Sequence, residues 1–268
     1  NLRVTNPPEP GQKKEVKQIE AIIEPDLVYP LIRGRDIKKW YVDYKDRYII
    51  VPHDTKSGKP LAEKDIKIKL PLTYEYLNRY RNELENRSVH KLWGKGNPFY
   101  SVYGIGSYTF SPYKVVWKHI AGAITGKAEF SCAVIGSATD KYLGNKVIIP
   151  NHKLMLAPLE SEDEAYYLAG MLNSTIVRSI VASYVIETEI PTNILDLIKI
   201  PKYDLNNELH RKISELSKKA HEIAKEIYKN GRKDLEDELK KIEDEIDIAV
   251  AESLGLSEKD LKEFKRLL

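Results

Sequence analysis

ELHRKISELSKKAHEIAKEIYKNG, residues Glu208 to Gly231, is the stretch that decides the fold class. Leu209, Ile213, Leu216, Ala220, Ile223 and Ile227 recur at alternating steps of four and three, which lines them along one face of an α-helix. After Asn230-Gly231 the same pattern resumes with Leu235, Leu239, Ile242, Ile246 and Ala249. Glycine accepts the left-handed conformation that ends a helix, so the chain is predicted to turn there and return as an antiparallel hairpin with charged outer faces. Ser257 and Asp260 have the spacing that caps one further short helix.

Upstream of this tail the texture changes. Tyr48 to Val51, Lys114 to Trp117, Cys132 to Ile135 and Lys146 to Ile149 are short apolar runs bounded by Pro or Gly, and they read as strands. Pro71 to Arg87 instead sets Leu72, Tyr76, Leu77, Tyr80 and Leu84 on one stripe with Arg79, Arg81, Glu83 and Arg87 pointing away, which predicts a helix. Ser161 and Glu164 form a capping box ahead of Ala165, Leu168, Ala169 and Leu172. Ser174 is placed to cap a following helix that carries Val177, Ile180 and Val181, and Pro191 and Pro201 close this region. The expected architecture is α+β: a strand-rich mixed domain over residues 27–204, then an antiparallel helical hairpin with a short terminal helix over 205–268. Residues 1–26, with Pro7, Pro8, Pro10 and Gly11, read as a lead-in from an upstream domain.

Composition narrows the function classes. A chain of 268 residues, 42% hydrophobic, can bury a substantial core. No stretch approaches the roughly 18 uninterrupted apolar residues of a membrane helix, and the charged start lacks the apolar run of a signal peptide, so the expectation is a cytoplasmic protein with no membrane partner. Cys132 is the single cysteine, which excludes an internal disulfide and a cysteine-based zinc site. His53, His90, His119 and His152 stand apart in sequence without metal-ligand spacing, and no serine elbow or phosphate-binding loop occurs. The formal charge of +3 conceals a division: residues 205–268 carry 14 Lys/Arg against 16 Asp/Glu, whereas residues 1–204 carry 29 against 24. A basic front with a balanced tail favours an anionic partner for the front.

Three segments supply candidate contacts to duplex DNA. Arg33, Arg35, Lys38 and Lys39 crowd around Gly34, a residue that permits close backbone approach, and suit phosphate clamping or bidentate reading of guanine. A solvated strand end, with Asp36 paired to one arginine, explains the same residues without DNA. Residues 91–110 mix Lys91, Trp93, Lys95, Tyr103, Ser107 and Tyr108 with four glycines, either as a groove-following loop or as a hairpin whose aromatics pack on a sheet. Lys118 and His119 end a predicted strand, and Gly122 to Lys127 make a further loop after it. Asn151-His152-Lys153, after Pro150, could also face DNA, but reads first as a surface turn.

The run Pro30-Leu31-Ile32-Arg33-Gly34-Arg35-Asp36-Ile37-Lys38-Lys39-Trp40 resembles the opening of the TaqI-like C-terminal specificity domains of adenine-specific DNA methyltransferases and fused restriction-modification enzymes. The order continues through Arg47-Tyr48-Ile49-Ile50, the Tyr76 to Arg87 helix, Tyr113 to Lys118, Tyr167 to Ser174, Ile200-Pro201, Ile246-Asp247 and Leu254-Gly255-Leu256. The resemblance implies a target-recognition domain that grips duplex DNA opposite a catalytic methyltransferase domain or subunit, which would bind S-adenosylmethionine; this chain is expected to hold no cofactor itself. Asn6-Pro7-Pro8-Glu9 looks like the catalytic motif of such enzymes, but Glu9 stands where an aromatic ring must stack on the flipped base, and no nucleotide-binding sheet precedes it, so no catalytic residue is assigned. The rival readings are the specificity subunit of a multi-subunit restriction system and a protein-interaction module without DNA activity.

Overall fold

The structure is a computed structural model that describes residues 1–8, 16–119, 130–184, 190–191 and 193–267. It is mixed α+β, with several small sheets and a C-terminal helical hairpin. The chain divides into two compact units: Asn1–Pro30 with Tyr48–Phe110 and Ala138–Ile149, and Leu31–Arg47 with Ser111–Ser137 and Pro150–Leu268. This division cuts across residues 27–204 and joins their later part to the helical tail.

In the first unit, strands Leu2–Thr5 and Glu20–Ile23 pair antiparallel, with Leu2 opposite Ile23 and Thr5 opposite Glu20. Residues 1–26, expected as a lead-in, therefore contribute a two-stranded ladder, because Leu2, Val4, Ala21 and Ile23 pack with Tyr76 and Tyr80. Asn6 closes the loop between these strands. Its Oδ1 accepts from Ile19 N–H at 2.9 Å and its Nδ2 donates to the Lys17 carbonyl at 3.0 Å. The helix predicted from Pro71 is interrupted: it runs as Pro71–Asn78, then Arg81–Glu85, with Tyr80 out of helical geometry between them. The Tyr80 hydroxyl lies 2.9 Å from both Asn6 Oδ1 and the Lys17 carbonyl, a long-range tie that outweighs continuing the helix. At the helix start, Glu24 accepts from the amides of Leu72 and Thr73 and from the Thr73 hydroxyl. Burial raises the Glu24 pKa, but these bonds together outweigh it and hold the carboxyl below its usual range.

The second unit is built on a three-stranded antiparallel sheet with Tyr113–Lys118 in the middle, Leu154–Leu159 on one side and Cys132–Ile135 on the other. Residues Lys114 to Trp117 are buried in succession, as a central strand requires. Helix Glu162–Asn173 lies on this sheet through Ala165, Ala169 and Leu172, and its predicted cap is present, with Ser161 Oγ accepting from Glu164 N–H. At its other end the Asn173 carboxamide bonds both the N–H and the carbonyl of Cys132, at 3.0 and 2.9 Å, substituting for a neighbouring strand. Helix Thr175–Tyr184 follows, its first N–H and the Thr175 hydroxyl both donating to Asp247 at 2.7 Å.

The predicted hairpin is present as helices Glu208–Asn230 and Glu236–Ser253, with Gly231 left-handed (φ 71°) at the turn, and helix Glu258–Leu267 follows a Ser257–Asp260 capping box. The long helix also buries a second face, Ser214 and Ser217, against helix Glu162–Asn173. Small side chains permit that approach. A Cβ on Gly170 would stand 2.6 Å from Ile213 Cγ2 and 3.3 Å from Ser217 Cβ. The run predicted from Lys146 to Ile149 resolves into two short strands, Gly144–Val147 and Ile149–Pro150.

Candidate nucleic-acid interface

Three separated segments of the second unit meet at the end of strand Tyr113–Lys118. The first is the single turn Gly34–Asp36, where the buried Asp36 carboxylate accepts the Arg33 N–H at 2.7 Å and pairs with Arg47 Nη2 at 2.9 Å. Arg47 thus takes the pairing that the sequence leaves open to Arg33 or Arg35, and Arg35 stays exposed. Arg33 is half-buried; burial, then the nearby Arg47 and Arg35 charges, lower its pKa, while Asp36 opposes the shift. The second segment is the strand end itself, where a Cβ on Gly34 would stand 3.9 Å from Lys118 Cγ. The third is the turn Asn151-His152-Lys153. Its Asn151 N–H donates to the Ile32 carbonyl at 2.9 Å, and its Lys153 carbonyl accepts from His119 N–H at 3.2 Å. Arg33, Arg35, Lys118, His119, His152 and Lys153 are therefore held along one edge by backbone bonds, with His152 and Lys153 exposed.

His152 and Lys153 carry only a weak local signal of this role in the sequence, where a surface turn is the favoured reading. Only the antiparallel register that sets Leu154 opposite Lys118 brings them beside His119. Such an edge has the chemistry to clamp phosphates with Lys and to present Arg to the edge of guanine.

The other half of the Pro30 to Trp40 run turns inward. Trp40 closes the two-residue turn between strands Ile37–Lys38 and Tyr41–Val42 with φ 65°, a conformation that costs a bulky residue ~1–3 kcal/mol. It is held there by burial to 1% exposure, by its indole N–H to Glu243 at 2.6 Å and by its backbone N–H to the Cys132 carbonyl. Lys39 pairs with the same Glu243 at 2.7 Å; burial lowers its pKa although Glu243 opposes the shift. Lys38 lies over the Tyr228 ring at 4.1 Å. His221 packs edge-on against Trp40 and Tyr166, donating from Nδ1 to the Ser217 carbonyl while Nε2 accepts from Val134 N–H. Burial lowers its pKa to about 4, so it is neutral at pH 7. Lys114, within the central strand, donates to the Ser111 carbonyl, and burial lowers its pKa to about 8.

Lys91, Lys95, Tyr103 and Ser107 belong to the first unit. Much of what reads as a loop is ordered: helix Ser88–Trp93 carries Lys91, the tight turn after it carries Lys95, and the single turn Ser107–Phe110 carries Ser107. Tyr103 hydroxyl bonds His90 Nδ1 at 2.7 Å, while Lys91, Lys95 and Ser107 are exposed. Gly122 to Lys127 and Glu9 lie outside the described residues. Asn6 does not fit a reacting base, since its carboxamide is occupied at both ends by the loop it closes. Among the described residues there is no group of three His, Cys, Asp or Glu that could hold a metal ion, and no helix long and apolar enough to cross a membrane.

The fold and this edge define a mixed α+β module with a basic rim and a helical support. No protein-family profile matches the chain. Over 163 residues, 61% of its length, it is 30% identical to M.NspV, a type II methyltransferase from Nostoc sp.. The match covers 31% of that enzyme, so the chain spans about a third of the relative's length. The chain is thus homologous to part of a type II methyltransferase.

Proposed function

We propose that the chain is the target-reading part of a restriction-modification methyltransferase of the adenine-specific, TaqI-like kind, and that it recognises a short sequence in duplex DNA. The observation that carries this reading is the assembly of Arg33, Arg35, Lys118, His119, His152 and Lys153 from three separate segments onto one edge. Similarity to a type II methyltransferase supplies the enzymatic setting. On this reading Lys118 and Lys153 neutralise phosphates, while Arg35, exposed beside the close-approach Gly34, addresses a base edge in the major groove. The methyl donor S-adenosylmethionine and the transfer chemistry belong to a catalytic domain or subunit that this edge positions over an adenine.

Selection of bound fragments from a random duplex library tests the reading. Enrichment of one short motif, relaxed at one base pair by Arg35→Ala, is the expected result. Binding without enrichment, or enrichment that no substitution on this edge alters, would overturn it.

A further inference from the structure

Helix Ser88–Trp93 of the first unit turns an apolar face to solvent. Val89, Leu92 and Trp93 stand at positions i, i+3 and i+4, and Leu92 and Trp93 are 75% and 72% exposed. Trp40 and Trp117, by contrast, are 1% and 2% exposed. An indole in water is costly, so a tryptophan held outward on an ordered element calls for an occupant.

The mounting is firm. Gly94 N–H donates to the His90 carbonyl at 2.7 Å, Asn97 N–H to the Gly94 carbonyl at 2.8 Å, and Asn97 Nδ2 to the Trp93 carbonyl at 3.3 Å. A Cβ on Gly94 would strike the His90 carbonyl at 2.2 Å, and Gly96 takes φ 84°, so both glycines serve this turn. Beneath it, Arg87 donates to the carbonyls of Leu84, Phe99 and Ser101, tying the helix to the apolar core of the unit.

Charge selects the occupant. The chain contains 40 Asp and Glu, yet none between Glu85 and Glu129. Lys91 and Lys95 flank the apolar tip, both are exposed, and among the described residues neither forms an ion pair. A patch of three side chains ringed by lysines falls well short of the ~20 residues a side of a stable protein interface. An aromatic face between unpaired cations fits a nucleobase with its phosphates.

We propose that Trp93, supported by Leu92, stacks on a nucleobase of bound DNA at an opened or unstacked step, with Lys91 and Lys95 on the flanking phosphates. This inference rests on the DNA reading above but uses residues distant in sequence from the basic rim. It assigns the helix tip a wedge role rather than sequence reading.

Trp93 is the sole exposed tryptophan, so quenching of the chain's fluorescence by acrylamide reports on it directly. Titrating the 268-residue chain with a random-sequence duplex, and with the same duplex carrying one mismatched pair, should quench Trp93 emission and shield it from acrylamide. The mismatched duplex should bind more tightly. Trp93→Ala should weaken binding to the mismatched duplex roughly five- to hundredfold, and Trp93→Phe should restore most of the loss. Circular dichroism of both variants should match the wild type. If DNA binds while Trp93 stays open to acrylamide and Trp93→Ala binds as the wild type does, the wedge is overturned and the DNA reading stands. If neither duplex binds, both fall. If Trp93 becomes shielded only as protein concentration rises, the patch is a protein contact and the wedge is likewise overturned.

Discussion

The two halves of the Pro30 to Trp40 run carry similar charge and meet opposite surroundings. Arg33 and Arg35 flank a glycine beside Lys118, on an edge completed by the Asn151 to Lys153 turn. Lys38 and Lys39, three residues on, are spent on the helical tail, one over Tyr228 and the other against Glu243. The boundary between them is Asp36, buried and paired with Arg47. A cluster of cations in sequence is therefore not one cluster in the structure. In the first half Arg35 stays exposed on the basic rim; the second half fastens the run to the hairpin.

The largest effect expected from this division falls on stability. Trp40→Ala removes a buried indole, its bond to Glu243 and the packing against His221, and should lower the unfolding free energy by ~3–5 kcal/mol in urea denaturation. A loss near zero would mean the second half is not an anchor. The next effect is acid sensitivity in the same cluster. Burial depresses the His221 pKa to about 4 in the folded state, against roughly 6.5 unfolded, so the unfolded chain binds more protons between those values. The stabilisation is complete above pH ~6.5 and is lost as pH falls through about 4. His221→Gln keeps an acceptor for Val134 N–H and should flatten the curve of urea midpoint against pH across that window; an unchanged curve would remove His221 from the account.

On the outward half, Arg35→Ala should weaken binding to the selected DNA by ~1–3 kcal/mol in a fluorescence-anisotropy titration, with little change in thermal stability. The smallest effect expected is that of Lys39→Met on DNA affinity, which should be undetectable in the same titration because that charge is already paired within the unit. A clear loss of affinity there would erase the distinction between the halves.

The hairpin was legible in sequence because its apolar positions repeat over many turns and Gly231 marks the reversal. The central strand was legible because Val115, Val116 and Trp117 form a short apolar run preceded by Pro112. What stayed hidden depended on distant partners. Ser214, Ser217 and Gly170 read as polar or small, yet they form a packed face because each lets two helices approach. The break at Tyr80 reflects a hydroxyl that reaches Asn6, far away in sequence. The same logic divides the candidate edge: Arg33, Arg35, Lys118 and His119 stood out by local composition, whereas Asn151-His152-Lys153 read first as a surface turn and is set beside them by strand register.

The salt dependence of DNA binding tests the division most directly. Affinity for a random duplex should fall linearly on a log–log plot with salt, and the slope should become shallower by ~1 in Arg33→Ala/Arg35→Ala, since a lost phosphate contact at Arg33 removes ~1 while Arg35 addresses a base edge. Lys38→Ala/Lys39→Ala should leave the wild-type slope unchanged. Equal slopes for both double variants, or a shallower slope only in the lysine variant, would contradict the assignment of the first half to DNA and the second to the helical tail.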